Sequence, residues 1–295
     1  IGASFGGGCM AQSGSVAEAC FSVLSLPKPA AGLLIAVLTM AALFRKGGGV
    51  ERVCGVLVPA MAVLYVAGSL AALAFFREHL GAAAAMIFED AFSFRSAAGG
   101  FAGLLTADAV RVGFARGTFT NEAGIGSASI AHGVSSEPVP GVQGCWGILE
   151  VFIDTIVVCT LTALVLLAGG CATAAEAFTA CFGAAGGVFL TGSTFLFALA
   201  AMIGWAYYGE SALSFLTKRK SALYAYRILF CAAGVLGASI EFGAALGISD
   251  IFDGLMAFPN CVALIFLSKK VFASVKEAER AVAPSRSRRR PIRDL

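Results

Sequence analysis

Apolar residues in this chain come in long blocks and show no short alternation. Eight blocks read as membrane-crossing helices: residues 1–26, 30–44, 53–76, 96–114, 142–168, 188–216, 222–240 and 251–267. A spanning helix needs about 20 mostly apolar residues, whereas a spanning strand shows alternation over about ten. Polar connectors separate the blocks: Arg-Lys-Gly-Gly-Gly at 45–49, Arg-Glu-His at 77–79, then 118–141, 171–187, 217–221 and 241–250. The pattern predicts an all-α polytopic membrane protein, with a membrane domain over 1–268 and a basic tail over 269–295.

Composition narrows the class. The 295 residues are 58% hydrophobic and 13% charged, against about 45–50% apolar and about 25% charged in a soluble domain. That balance excludes a disordered tail, a disulfide scaffold, a nucleic-acid module and an ordinary cytosolic enzyme. Thirty-six glycines fit membrane helices, which use them for close backbone approach and controlled breaks. The nine cysteines are scattered, with no Cys-x-x-Cys pair, and read as small packing residues.

Charge placement gives an orientation. If 45–52, 111–141, 217–227 and the tail face the cytoplasm, that side holds all but Lys28, Arg77 and Arg95 of the 21 basic residues. Alternation of eight spans puts the same four segments on one side, so span count and the positive-inside rule agree. The chain is expected to be a multi-pass protein of the plasma (inner) membrane with a cytoplasmic C-terminal tail. The five arginines at 285–293 read as a topogenic tail near anionic lipid, not as a nucleic-acid site.

Four places interrupt the apolar blocks with polar or helix-weakening residues. The first runs from Phe5 through Gly6-Gly7-Gly8 to Gln12 and Ser15. The Gln12 amide suits a carboxylate, an amine or a neighbouring backbone, as ligand contact or as interhelical glue. In the second, Gly99 and Gly100 favour either an unwound segment lining a cavity or close packing of an intact helix. In the third, Glu150 and Asp154 share a helix face. Asp154 lies about 18 Å into its span at ~1.5 Å per residue. An acid at that depth is either functional or neutralised by a proton or a neighbour. The fourth is Gly204-Trp-Ala-Tyr-Tyr-Gly-Glu, where Trp205 is either part of an interfacial belt or the wall of a cavity. Enzyme signatures are poor: Gly124-x-Gly126 lacks a preceding strand, and Ser127 with His132 lies in a connector without a rigid elbow.

Longer motifs carry a resemblance. Residues 117–128, Gly-Thr-Phe-Thr-Asn-Glu-Ala-Gly-Ile-Gly-Ser-Ala, resemble the Gly-x-Phe-Ser-Asn-Glu-Ala-Gly-x-Gly-Ser-Ala signature of the alanine or glycine:cation symporters. Gln143-Gly-x-Trp-Gly-Ile-Leu-Glu-Val-Phe-Ile-Asp, Gly204-Trp-x-Tyr-Tyr-Gly-Glu and Asp250-Ile-Phe-Asp-Gly-Leu-Met-Ala-x-Pro-Asn are similar to the same family. The resemblance implies a leucine-transporter-like inverted-repeat fold. The eight spans would be its third to tenth, behind two helices that include the broken first one. It implies symport of alanine or glycine with Na+ by alternating access, with the lipid bilayer as surroundings and no organic cofactor.

Carried over by position, the resemblance assigns Gln12, Gly99, Gly100, Phe101, Ala201 and Trp205 to the substrate. It assigns Asn121, Glu122 and Gly124 to gating, beside the coupling candidates Glu150 and Asp154. Two departures stand out. Ala200 and Ala201 replace a usual Ser-Thr pair, and a methyl group supplies no oxygen to sodium. Cys9 and Gly14 replace usual asparagines. A proton-coupled or non-transporting relative is the alternative reading.

Overall fold

The structure, a computed structural model, describes residues 1–44, 49–92 and 101–282, with backbone alone at 49–53, 101–106 and 282. Among the described residues it is helical, with no strand. Helix α1 runs as Gly2–Phe5, a π-helical stretch Gly6–Ala11, and Gln12–Leu24. It is followed by α2 (Lys28–Leu43), α3 (Gly49–Phe75), the 3₁₀ turn Arg77–His79, α4 (Leu80–Phe92), α5 (Phe101–Asn121) and α6 (Ala128–His132). Helix α7 runs as Pro140–Val151, a second π-helical stretch Phe152–Cys159, and Thr160–Gly169. Then come α8 (Ala174–Phe182), α9 (Ala184–Leu216), α10 (Lys220–Ser239) and α11 (Phe242–Val282).

Local chemistry sets several ends. Prolines occupy the first turns of α2 and α7, where a missing N–H costs nothing. Thr173 caps α8 by accepting from the Glu176 N–H at 3.2 Å, and Glu176 reaches back to the Ala172 N–H at 3.1 Å. The pair is a capping box shifted by one residue, since the carboxylate takes the N–H ahead of the cap.

Among the described residues, five helical stretches are long and apolar enough to cross a membrane: Cys54–Phe75, Pro140–Gly169, Ala184–Leu216, Lys220–Ser239 and Phe242–Ala281. The other three expected spans differ in detail. Helix α2 has only 16 residues, α1 is divided by its π-helical stretch, and the beginning of the block at 96–114 lies outside the described residues. Helix α8 falls in the connector read at 171–187, α4 in residues assigned neither to a span nor to a connector, and α11 runs fifteen residues past the expected end at 267 because polar residues continue it. Large apolar side chains cover the outside; Phe215 is 87% and Phe266 82% exposed. Lipid is the solvent that suits such a surface. The chain is an integral, multi-pass membrane protein.

Two cores share α9. One joins α1, α2, α9 and α10 around Ile35, Met202, Trp205 and Phe230. The other joins α3, α7, α8 and α9 around Tyr65, Val165, Phe178 and Leu190. Helices α1 and α9 are antiparallel: Gly8 lies on Trp205, Val23 lies on Gly187, and Thr191 donates to the Ala19 carbonyl at 3.4 Å. At one end Phe44 stacks on Tyr224 at 5.8 Å, and Arg227 lies 5.2 Å over Phe44. Arg227 also grips Glu210 at 2.6 and 2.7 Å. The ends of α2 and α9 and the start of α10 therefore meet, as alternation requires of the basic segments at 45–52 and 217–227.

Close approach is literal here. A Cβ on Gly237 would lie 2.4 Å from the Met10 Cα, whereas Gly192 has nothing within 4 Å. Gly237→Ala should lower stability by about 1–3 kcal/mol, as overpacking does. Gly192→Ala should leave it unchanged or raise it by up to ~1 kcal/mol. Thermal unfolding of both variants in detergent compares the two.

Candidate functional site

The site is built on the glycine step of α1. Gly6, Gly7 and Gly8 are buried within the π-helical stretch, a rare geometry often found at functional sites. Without side chains they admit two neighbours. A Cβ on Gly8 would lie 2.3 Å from Cβ and Cγ of Trp205, so the indole rests on bare backbone. A Cβ on Gly7 would lie 2.9 Å from Ser249 Oγ and 3.2–3.3 Å from the Asp253 carboxylate. Helices α9 and α11 thus meet α1 at adjacent residues.

The antiparallel register puts Gln12 of α1 level with Ala201 of α9, one turn from Trp205. Gln12 is half-buried, and its amide bonds no described side chain. Ala200 is buried in the helix packing, so neither alanine presents a ligand oxygen where the family pattern has hydroxyls. Trp205 is buried and meets Tyr208 edge-on at 5.6 Å. Gly99 and Gly100 lie outside the described residues. Phe101 opens α5, and its side chain is outside them too.

The connector after α5 is folded against this cluster. The Asn121 side chain accepts from the Ala123 N–H at 2.9 Å, closing a local turn. Glu122 takes φ 52°, and Gly124 and Gly126 take φ 83° and 104°. The chain reverses in conformations that favour glycine and strain the glutamate. Ile125 and Ser127 are buried, and the Gly124 carbonyl accepts from Asn260 Nδ2 of α11 at 2.9 Å. Glu122 accepts from Ser127 Oγ at 2.5 Å, and its carboxyl lies near enough to Trp205 for the indole to favour the charged form. Burial pushes the Glu122 carboxyl above its ordinary range, aided by Asp253 and Glu150, against Ser127 and Trp205. A segment read from sequence as a gating connector therefore touches a residue read as a substrate contact.

Asp154 and Glu150 are not brought into this cluster. Glu150 is exposed on α7 and meets His132 Nε2 at 3.2 Å, while His132 Nδ1 bonds Gln143 at 2.7 Å. Asp154 lies in the second π-helical stretch with a buried, unpartnered oxygen, beside Thr155 in the same condition. Sequence reasoning overlooked Asp253 and Ser249. The available signal was an acid inside an expected span, Asp253 within 251–267.

The chain matches the model of the sodium:alanine symporter family over residues 1–290. The chain belongs to that family. It is 35% identical over 285 residues to a sodium/alanine symporter, AgcS, of Methanococcus maripaludis, covering 93% of this chain and 62% of the relative. It is 32% identical to a probable sodium/glutamine symporter, GlnT, of Bacillus subtilis, covering 91% and 57%. A sodium/proton-dependent alanine carrier protein of Bacillus sp. strain PS3 is 27% identical over 91% of this chain and 65% of its own length. The chain thus spans about three-fifths of the curated relatives it matches. The family is one of transporters, not enzymes.

Two outcomes follow for this family member. In a Trp146→Phe background, leaving Trp205 as the chain's one tryptophan, Gly8→Ala should shift Trp205 emission to the red, because the added methyl expels the indole. Unchanged emission would contradict the contact. The neutral form of Glu122 is favoured when the connector is docked, so docking is strongest below the ordinary carboxyl range and weakens as pH rises through the raised one. Amide exchange at 122–127 should quicken with rising pH beyond its intrinsic increase, and Glu122→Gln should abolish the excess.

Proposed function

We propose that the protein, at full length, is a secondary transporter that carries a small neutral amino acid, alanine or glycine, together with a cation by alternating access. What supports this reading is the α1–α9 contact, where Gly8 lies on Trp205 and the antiparallel register sets Gln12 level with Ala201. Gln12 offers an amide to the amino acid's carboxylate or ammonium group. Trp205 and Ala201 would limit the room for a side chain, and Gly99, Gly100 and Phe101 are further substrate contacts that the family resemblance implies. The relatives' names, among them sodium/alanine symporter and sodium/proton-dependent alanine carrier protein, support the substrate and ion classes.

The fold proposed is leucine-transporter-like, with this chain supplying its third to tenth spans. The tail is cytoplasmic on the charge argument. A ligand shifts an equilibrium only through differential affinity for its states. Here the coupling element is the connector of Asn121, Glu122 and Gly124, tied to Trp205 through Glu122. Seating a substrate against Trp205 changes what holds that connector.

Sodium is the cation expected of the family. Proton coupling is the second reading, favoured by the methyl groups of Ala200 and Ala201 where hydroxyls would serve sodium. Asp154 and Glu150 are the acids that sequence nominates for it. Radiolabelled alanine uptake by the full-length protein in liposomes, under a sodium gradient, a proton gradient or neither, tests both. Concentrative uptake under one gradient is expected, and none under either would refute the carrier reading. Gln12→Ala should weaken alanine binding about tenfold or more, the loss of a hydrogen bond to a charged group.

A further inference from the structure

Asp253 stands eleven residues into α11, about 17 Å along the axis at ~1.5 Å per residue. It is only 8% exposed. Its Oδ2 accepts from Ser249 Oγ at 3.1 Å, and its Oδ1 is buried with no hydrogen-bond partner. The carboxyl lies on the glycine step of α1, in space that any side chain at Gly7 would fill. The charged groups near enough to act on it are Asp250 on its own helix, Arg116 on α5 and Glu122 on the connector. Arg116 is engaged by Asp250, so the one cation among them is already paired.

An ionised carboxylate with one bare oxygen in such a place is strongly disfavoured, and the group neutralises instead. Protonated, it donates from Oδ2 to Ser249 Oγ and leaves Oδ1 as a carbonyl oxygen, whose burial is far less costly. Among the described residues no three His, Cys, Asp or Glu side chains converge as a metal site. A proton needs no ligand beyond that one carboxyl.

We propose that Asp253 is an intramembrane proton-binding site: its carboxyl, held with Ser249 against Gly7, keeps a proton while α1 and α11 are packed together and releases it when they part. The proton joins a carboxylate oxygen on packing and returns to water on opening, with no other bond changed. The site rests on the carrier reading only for the coupling of that proton to an amino acid.

Infrared spectra of the full-length protein in phospholipid bilayers test it. The wild type should show a protonated-carboxyl C=O band at neutral pH. Asp253→Asn should remove one component of that band, and that component should persist in Glu122→Gln and Asp154→Asn. A band unchanged by Asp253→Asn would overturn the proposal. Should Asp253→Asn fail to fold, Ser249→Ala should move that component by removing the partner of the acid, and no movement would overturn the proposal equally. In liposomes holding a pH-sensitive dye, alanine should drive proton movement in the wild type. In Asp253→Asn alanine exchange should persist without it, and persistence of proton movement would overturn the coupling. Loss of that component in Asp253→Asn together with no alanine uptake by the wild type would support the proton site while refuting the amino-acid reading.

Discussion

The close approach of backbones at Gly6-Gly7-Gly8 is the constraint on which the candidate site depends. Inside a bilayer, lipid tails are as apolar as leucine, so helices associate through packing and hydrogen bonds without a hydrophobic drive. Contact then falls where side chains are smallest. Here α1 gives up its side chains over three residues, and α9 and α11 respond with their most chemically distinctive groups, Trp205 and the Ser249–Asp253 pair. The π-helical turn at the same residues makes the step wider than an α-helical turn would.

The connector gains its meaning from that step. Residues 122–127 would be an ordinary polar loop if Ile125 were not buried and Glu122 did not reach Trp205. Strain at Glu122, the glycine conformations at 124 and 126, and the Asn260 bond hold the loop in one shape. A loop so determined has a defined docked state, and a defined docked state is what a gate requires. Asp253 and Glu150 each lie within electrostatic range of Glu122, so a change of charge at either is felt by the connector.

Much of the architecture was legible in the chain. Block length and the rarity of charge announced membrane helices, and basic residues grouped the ends that Phe44, Tyr224 and Arg227 bring together. Helices α4 and α8 were not legible as such. Their 13 and nine residues are too short to stand out as spans, and tertiary packing holds them. The glycine-rich beginning was legible as a weakened stretch of helix but not as a widened one, because π-type hydrogen bonding that absorbs the irregularity without unwinding leaves no mark in the sequence.

The sequence by itself determined the solvent, the long apolar helices and the residue types along them, since these follow from local composition and length. Its motifs also fixed the family. Only the tertiary structure decided which polar groups share a site. Gln12 and Ala201 are 189 positions apart, and Glu122 and Trp205 are 83 apart. No periodicity connects such pairs; the register of antiparallel helices and the reversal of a connector do. Asp154 and Asp253 look alike in sequence, each an acid within an apolar span. The fold separates them, setting only Asp253 on the glycine step, because position against a neighbouring backbone is a property of packing and not of the local chain.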